Sequence, residues 1–346
     1  AIWFDDAAEK MGVDVMRWMY ALQNVEQNLL FGYGPADEIR KKLITLWNVY
    51  SFYATYAAVD GFDPIENSIN KENLTVLDQW IIAKTHLLLK TGRNAMDDFR
   101  VDQFMRSFDV FLEDLSNWYI RRNRRRFWKT EDDQDKNSAY ACLYHVLTNI
   151  VRSIAPVLPF LSETIYQNLV VNSEADATES VHLCDYPDAD ESWIDMDLIM
   201  KVDALKTCIE LGRSARSQSN VKIRQPLSKV SYALEDNRIA EFFKDNQEII
   251  LDELNVKMME RITEADRLIS YNIKPNLRTL GQRYGKGLTE IRVLLDYRNA
   301  SQMVEELQEE GHIQLGNGRY VLDRNDVFIE TQATEGFVAA SGEGIT

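Results

Sequence analysis

Residues 116–129 read SNWYIRRNRRRFWK. Five arginines and a lysine stand there among two tryptophans, a tyrosine and a phenylalanine, in a 346-residue chain of formal charge −16. The stretch ends a helical pattern that begins near residue 101. On a helix turning about 100° per residue, Phe108, Phe111, Leu112, Leu115 and Tyr119 share one side, the side that packs into a bundle. Asn117, Arg121, Arg124 and Trp128 fall within about 30° of the opposite direction and are expected to face solvent. Arg122 and Arg126 continue the apolar stripe, where pairing with carboxylates of a neighbouring helix, or capping of its last carbonyls, accounts for them. Arg125 sits on the flank.

A solvated charged face ordinarily mixes signs, and the outward stripe contains no acid. Arginine grips phosphate through two parallel hydrogen bonds, and an exposed tryptophan offers an unpaired base a surface to stack on. RNA and an acidic protein partner both remain open as the occupant. A second basic cluster, Arg213, Arg216, Lys222 and Arg224, follows a helix into the turn before Pro226. A solvated helix end is its plain reading, and RNA contact its functional one.

The surrounding pattern predicts a mainly α protein. Helical periodicity runs through 12–58 with a break at Gly32–Pro35, then through 74–97, 101–128 and 138–154, with a short helix after Pro159. DGFDP (60–64) marks a turn and a boundary. Residues 172–197 are acidic and aperiodic, a crossover, and a further helix fits 198–217. KVSYAL (229–234) and RLISYNI (267–273) then read as strands around a helix at 237–253. HIQL, RYVL and DVFIE, joined by Gly-Asn-Gly and Asp-Arg-Asn, predict a small antiparallel sheet. The expected organisation is a helical segment over 1–60, a helical bundle over 61–197 and a smaller α/β domain over 198–346.

Composition narrows the function. The net charge argues against whole-surface attraction to nucleic acid, but screening over roughly 10 Å leaves room for a local basic groove. Residues 301–346 carry nine acids and two basic residues, so that end is not expected to hold RNA by charge. Cys142, Cys184 and Cys208 form no Cys-x-x-Cys pair and the four histidines are scattered, so reduced thiols and no metal site are expected. No apolar run approaches the roughly 20 residues of a bilayer span, and no secretory leader pattern opens the chain. A cytoplasmic protein without membrane attachment is the expectation. Phosphate loops, nucleophile elbows and His-x-x-x-His pairs are missing. GQRYGKG (281–287) reads as a basic turn, and Glu131, Asp132 and Asp133 as a solvated turn. The residues describe a binding module with no catalytic site.

LSNWYIRRNRRRFW (115–128) closely resembles the signature of the anticodon-binding helical domain of class I aminoacyl-tRNA synthetases of the isoleucine, valine and leucine group. Other stretches agree in order. MGVDVMRWMY (11–20) looks like the helix after the Lys-Met-Ser-Lys-Ser loop, and DGFDP with LDQWIIAK (77–84) resembles the start of the bundle. IAPVLPFLSETIYQNL (154–169) looks like its third and fourth helices, and SVHLCDYP (180–187) like the segment that follows. ARSQSNVKIRQPLSKV (215–230) and LDELNVK (251–257) are similar to the C-terminal region of the isoleucine branch, with valine as the alternative.

The resemblance implies the C-terminal portion of a longer enzyme, without its His-Ile-Gly-His and Lys-Met-Ser-Lys-Ser motifs, Rossmann core and editing domain. The chain also opens on Ala1 inside a helical pattern. The implied activity of the whole is ATP-dependent activation of isoleucine and its transfer to tRNA, with ATP and magnesium held in the missing part and no cofactor here. This portion is expected to be inactive alone and to hold tRNA(Ile), not DNA, as a monomer. The implied tRNA-contacting residues are Asn117, Arg121, Arg124, Arg125, Trp128 and Lys129, with Arg213, Arg216, Lys222 and Arg224 in the second cluster.

Overall fold

The computed structural model describes residues 2–23, 28, 31–128, 133–262, 269–333, 338–342 and 345. They group into two units, Ala1–Ile199 and Met200–Thr346.

The first unit is helical. After α1 (Phe4–Met11) and α2 (Val13–Ala21) comes the long α3 (Tyr33–Asp60), with Pro35 tolerated in its first turn and Gly61 closing it at φ +64°. Then follow α4 (Val76–Asp97), α5 (Val101–Glu113), α6 (Arg121–Trp128), α7 (Asp133–Ile154) and α8 (Pro159–Tyr166). The segment expected at 1–60 lies in the same unit as the bundle. Asp60, at the end of α3, accepts from the Tyr140 hydroxyl and pairs with Lys136, both at 2.6 Å. Arg17 of α2 donates to the carbonyls of Pro156 and Val157, and Asp14 caps α8 by accepting from the Leu161 amide at 2.7 Å. Trp18, Trp80, Phe104, Phe108, Tyr119 and Tyr140 fill the interior. Between Tyr166 and Met196 the chain makes only a π-helical turn (Gln167–Val171) and short 3-10 turns, matching the aperiodic sequence there.

α5 and α6 are one continuous rod, but not one α-helix. Asp114–Ile120 between them is π-helical, with about one residue more than an α-helix would use. That residue rotates everything downstream. An unbroken α-helix puts Arg122 and Arg126 in line with Leu115 and Tyr119, whereas the line continues through Asn123 (5% exposed) and Phe127 (1%).

α9 (Met196–Gln218), whose first residues belong to the first unit, leads in the second to β1 (Val230–Tyr232), α10 (Asn237–Asp245), α11 (Gln247–Leu254) and β2 (Met259–Arg261), with β1 and β2 paired in parallel. β3 (Ile269–Pro275), α12 (Leu277–Tyr284), α13 (Leu288–Tyr297), α14 (Ala300–Glu309), β4 (His312–Leu315), β5 (Tyr320–Asp323) and β6 (Val327–Ala333) complete it. The single C-terminal sheet expected from HIQL, RYVL and DVFIE is corrected. β4 and β5 form a hairpin through Gly316, Asn317 and Gly318, all at positive φ, whereas β6 pairs antiparallel with β3, Ile273 opposite Ile329. The cause is the turn Arg324–Asp326, capped by Asp323 and Asp326. The Asp326 carbonyl accepts from the Asn276 amide at 2.8 Å and swings the chain onto β3. Leu280, Ile291, Met303, Ile313 and Leu322 form the core beneath. GQRYGKG is the end of α12 and a turn, with Arg283 paired to the buried Asp326. Among the described residues no helix is long and apolar enough to cross a membrane.

Candidate nucleic-acid interface

The basic stretch is anchored on one side and open on the other. Its anchor is the Asp78 carboxyl group, fully buried at the start of α4. One oxygen accepts from the Tyr119 hydroxyl at 2.6 Å and from Arg126 Nη1 at 2.8 Å. The other accepts from the Thr75 amide at 2.9 Å and the Thr75 hydroxyl at 2.7 Å, as half of a capping box. Arg126 Nε also donates to both carboxyl oxygens of Asp135 at 2.9 and 3.0 Å. Burial alone would lower the Arg126 pKa, and the hydrogen bonds to Asp135 and Asp78 reverse that and raise it. Burial, with the Asp78 charge beside it, pushes the Tyr119 phenol well above its ordinary value, so it stays a donor. Arg126 is thus spent on internal pairing, and Arg122 is half-buried.

On the opposite side Asn117, Arg121, Arg124, Arg125 and Trp128 are all exposed. Trp128 is 52% exposed, with its ring 6.1 Å from that of Tyr56 on α3. Phe127 points the other way, edge-on to Phe52 and Tyr140 at 5.1 and 5.0 Å. Arg121 lies along its own helix, Nε donating to the Asn117 carbonyl at 2.7 Å and the guanidinium 5.8 Å from the Trp118 ring. The face therefore presents arginine heads and an indole side by side, the chemistry that takes phosphates and unstacked bases. Lys129, Glu131 and Asp132 lie outside the described residues.

The second cluster divides. Lys222 and Arg224 are exposed, and Arg213 is exposed while pairing with the buried Glu253. Arg216 does not face outward as expected. It is 6% exposed, and its guanidinium donates to the carbonyls of Leu254 (2.7 and 3.0 Å), Gln225 (2.9 Å), Asn255 (3.1 Å) and Lys222 (3.3 Å). Asn220, at φ +55°, turns the chain back so that these carbonyls converge on it. Its charge ties a loop to the end of α11 and is withdrawn from the surface.

Sequence reasoning missed Asp78 and the His86–His145 pair described below. The Thr75-x-x-Asp78 capping pattern was the available signal for the first; nothing local marks the second. Among the described residues no group of three or more His, Cys, Asp and Glu side chains is placed to hold a metal ion.

Comparison with known proteins falls on the same segments. Residues 78–232 match the model of the anticodon-binding domain of tRNA ligase, a span containing both basic clusters. The chain is 37% identical to an isoleucine–tRNA ligase of Clostridium novyi over 98% of its own length and 33% of that protein. Against the isoleucine–tRNA ligases of Clostridium kluyveri and Thermus thermophilus the identities are 36% and 35%, covering 98% of this chain and 32% and 33% of those proteins. The chain thus spans about a third of the length of the relatives it matches. Residues 78–232 are thus similar to the anticodon-binding domain of tRNA ligases, and the chain is similar along nearly its whole length to isoleucine–tRNA ligases.

Proposed function

We propose that this chain is the tRNA-holding portion of an isoleucine–tRNA ligase. Asn117, Arg121, Arg124, Arg125 and Trp128 contact the anticodon stem-loop of tRNA(Ile), while Arg213, Lys222 and Arg224 add phosphate contacts from the second unit. Arginine heads fix register on phosphates, and Trp128 stacks an unpaired base. Activation of isoleucine with ATP and its transfer to tRNA belong to the longer enzyme, with ATP and magnesium held outside this chain. This portion positions tRNA, acts as a monomer in the cytoplasm, and contributes no catalytic group. The observation that carries the reading is the acid-free, outward arginine–tryptophan face within the span that matches the anticodon-binding model.

The test is binding of the chain to tRNA(Ile) and to unrelated tRNAs across a salt series. About four phosphate contacts weaken binding on the order of a hundredfold between about 50 and 200 mM salt. Salt-dependent binding with preference for tRNA(Ile) is expected. Equal binding of all tRNAs removes the anticodon-reading role, and binding to an acidic protein in place of tRNA overturns the proposal.

A further inference from the structure

Two contacts from α4 bracket the π-helical segment. At its start, the buried Asp114 pairs with Lys84 at 2.7 Å. At its end, Asp78, six residues before Lys84 on the same helix, holds Tyr119 within the segment and Arg126 beyond it. The Asp78 carboxyl cannot follow a movement of either partner, because Thr75 fixes its other oxygen through the capping box. One straight helix thus grips both ends of an overwide turn.

The grip has a consequence for the outward face. A π-helical turn is less favourable than the α-helix it interrupts, and it persists where surrounding contacts maintain it. Relaxation to an α-helix would rotate every residue after the turn by about 100°. Asn123 and Phe127 would leave the core line, Arg122 and Arg126 would enter it, and the directions of Arg121, Arg124, Arg125 and Trp128 would change together. The azimuth of the basic face is therefore set from inside the bundle by residues that touch no ligand.

We infer that Asp78 and Lys84 form a clamp that maintains the π-helical turn, and that Asp78 is thereby the positioning residue of the tRNA-facing stripe. This rests on the tRNA-binding reading above. The clamp separates two tasks: Arg121 and Arg124 supply contacts, and Asp78 supplies their direction.

The experiment compares wild type with Asp78→Asn, Tyr119→Phe, Arg121→Ala/Arg124→Ala and, as a control weakening a different, partly buried contact to the Val181 amide and Ser180 hydroxyl, Glu163→Gln. Tyr119→Phe keeps the ring and removes one clamp bond, so it carries the test if Asp78→Asn fails to fold. Binding to tRNA(Ile) is read across the salt series. Loosening the clamp is expected to weaken binding about tenfold and lower the log–log salt slope by about one. Added to the double arginine variant, the clamp change has a smaller further effect than in wild type, because only Arg125 and Trp128 remain to be misdirected. Glu163→Gln lowers the thermal midpoint without altering the slope. A wild-type slope in folded Tyr119→Phe, or full additivity with the arginine pair, overturns the clamp. A second readout needs no RNA. With 5-fluorotryptophan incorporated, the fluorine signals of Trp118 and Trp128 should shift in Tyr119→Phe while that of Trp3 stays. Unmoved Trp118 and Trp128 signals overturn the clamp whatever the RNA data show, whereas wild-type chain that binds no tRNA overturns the tRNA reading alone.

Discussion

The Nε2 atoms of His86 and His145 lie 2.9 Å apart, joining α4 to α7. His86 Nδ1 accepts from the Asp190 amide at 3.1 Å, so its proton sits on Nε2 and is donated to His145. Both rings are thereby committed to the neutral form. Burial lowers both pKa values. That of His145 falls to about 4, burial first and then the repulsion that would arise if His86 were protonated as well. Asp190 pulls the other way on both rings, and Lys71, its ammonium 4.0 Å from the Trp193 ring centroid, pushes His86 lower.

The first prediction follows by linkage. Between the unfolded value of about 6.5 and the folded values, the unfolded chain binds more protons than the folded one, so stability is full above pH 6.5 and is lost as pH falls toward 4. Each such group contributes a slope of up to about 1.4 kcal/mol per pH unit in that window. Carboxylates titrate there too, so the check is a difference. His145→Phe should flatten the dependence of the denaturation free energy on pH between about 6.5 and 4 by roughly one proton equivalent. An unchanged slope would show that the pair does not set the acid limit.

A second prediction separates the arginines. Arg126→Ala leaves the Asp78 and Asp135 carboxylates without their shared cation and should cost about 3–5 kcal/mol in denaturant unfolding. Arg124→Ala, at an exposed position, should change stability by no more than about 0.5 kcal/mol. On tRNA affinity Arg124→Ala should act directly, with a lower salt slope. Similar stability losses for both would contradict the division of the helix into an anchored and an open side.

Two glycines should respond with opposite sign. A Cβ at Gly92 would lie 2.7 and 2.8 Å from the Phe104 ring and 3.1 Å from the Tyr186 hydroxyl, where α4 and α5 cross closely. Gly92→Ala should cost about 1–3 kcal/mol. At Gly34, in the first turn of α3, a Cβ meets nothing within 4 Å. Gly34→Ala should stabilise by about 0.4–1 kcal/mol through the unfolded chain. Thermal melts of both check the pair.

A fourth prediction concerns Arg216. Replacing it with alanine leaves the buried Leu254 carbonyl and the partly buried Gln225 carbonyl without the guanidinium, at about 1 kcal/mol each, while the carbonyls of Lys222 and Asn255 keep the amides of Gln225 and Leu227. Lysine should not rescue, because a point charge cannot span the carbonyls that the planar guanidinium reaches together. Recovery of the wild-type melting temperature by Arg216→Lys would argue for a purely electrostatic role.

The helices were legible in the sequence because their apolar residues recur at helical spacing, and the outward set Asn117, Arg121, Arg124 and Trp128 because no acid interrupts it. The inward set was only partly legible. Periodicity assumes a constant turn angle, and the extra residue in Asp114–Ile120 moves the core line from Arg122 and Arg126 to Asn123 and Phe127. Arg216 was misplaced for a different reason. A charged residue near a helix end reads as solvated unless the carbonyls that surround it are known, and these come from residues up to 39 positions away. The same distance problem hid the pairing of β3 with β6, since short strands do not encode their partners. His86 and His145 are 59 positions apart and meet only through the packing of α4 on α7.

Asp78 belongs at once to the first turn of α4 and to the last turn of α6. The two cannot fray independently, because opening either strips a fully buried carboxyl group of half its hydrogen bonds. The amide of Asp78, held by Thr75, and the amides around Phe127 then exchange with solvent as one cooperative unit. A helix end, ordinarily the first backbone to open, acquires the protection of the interior.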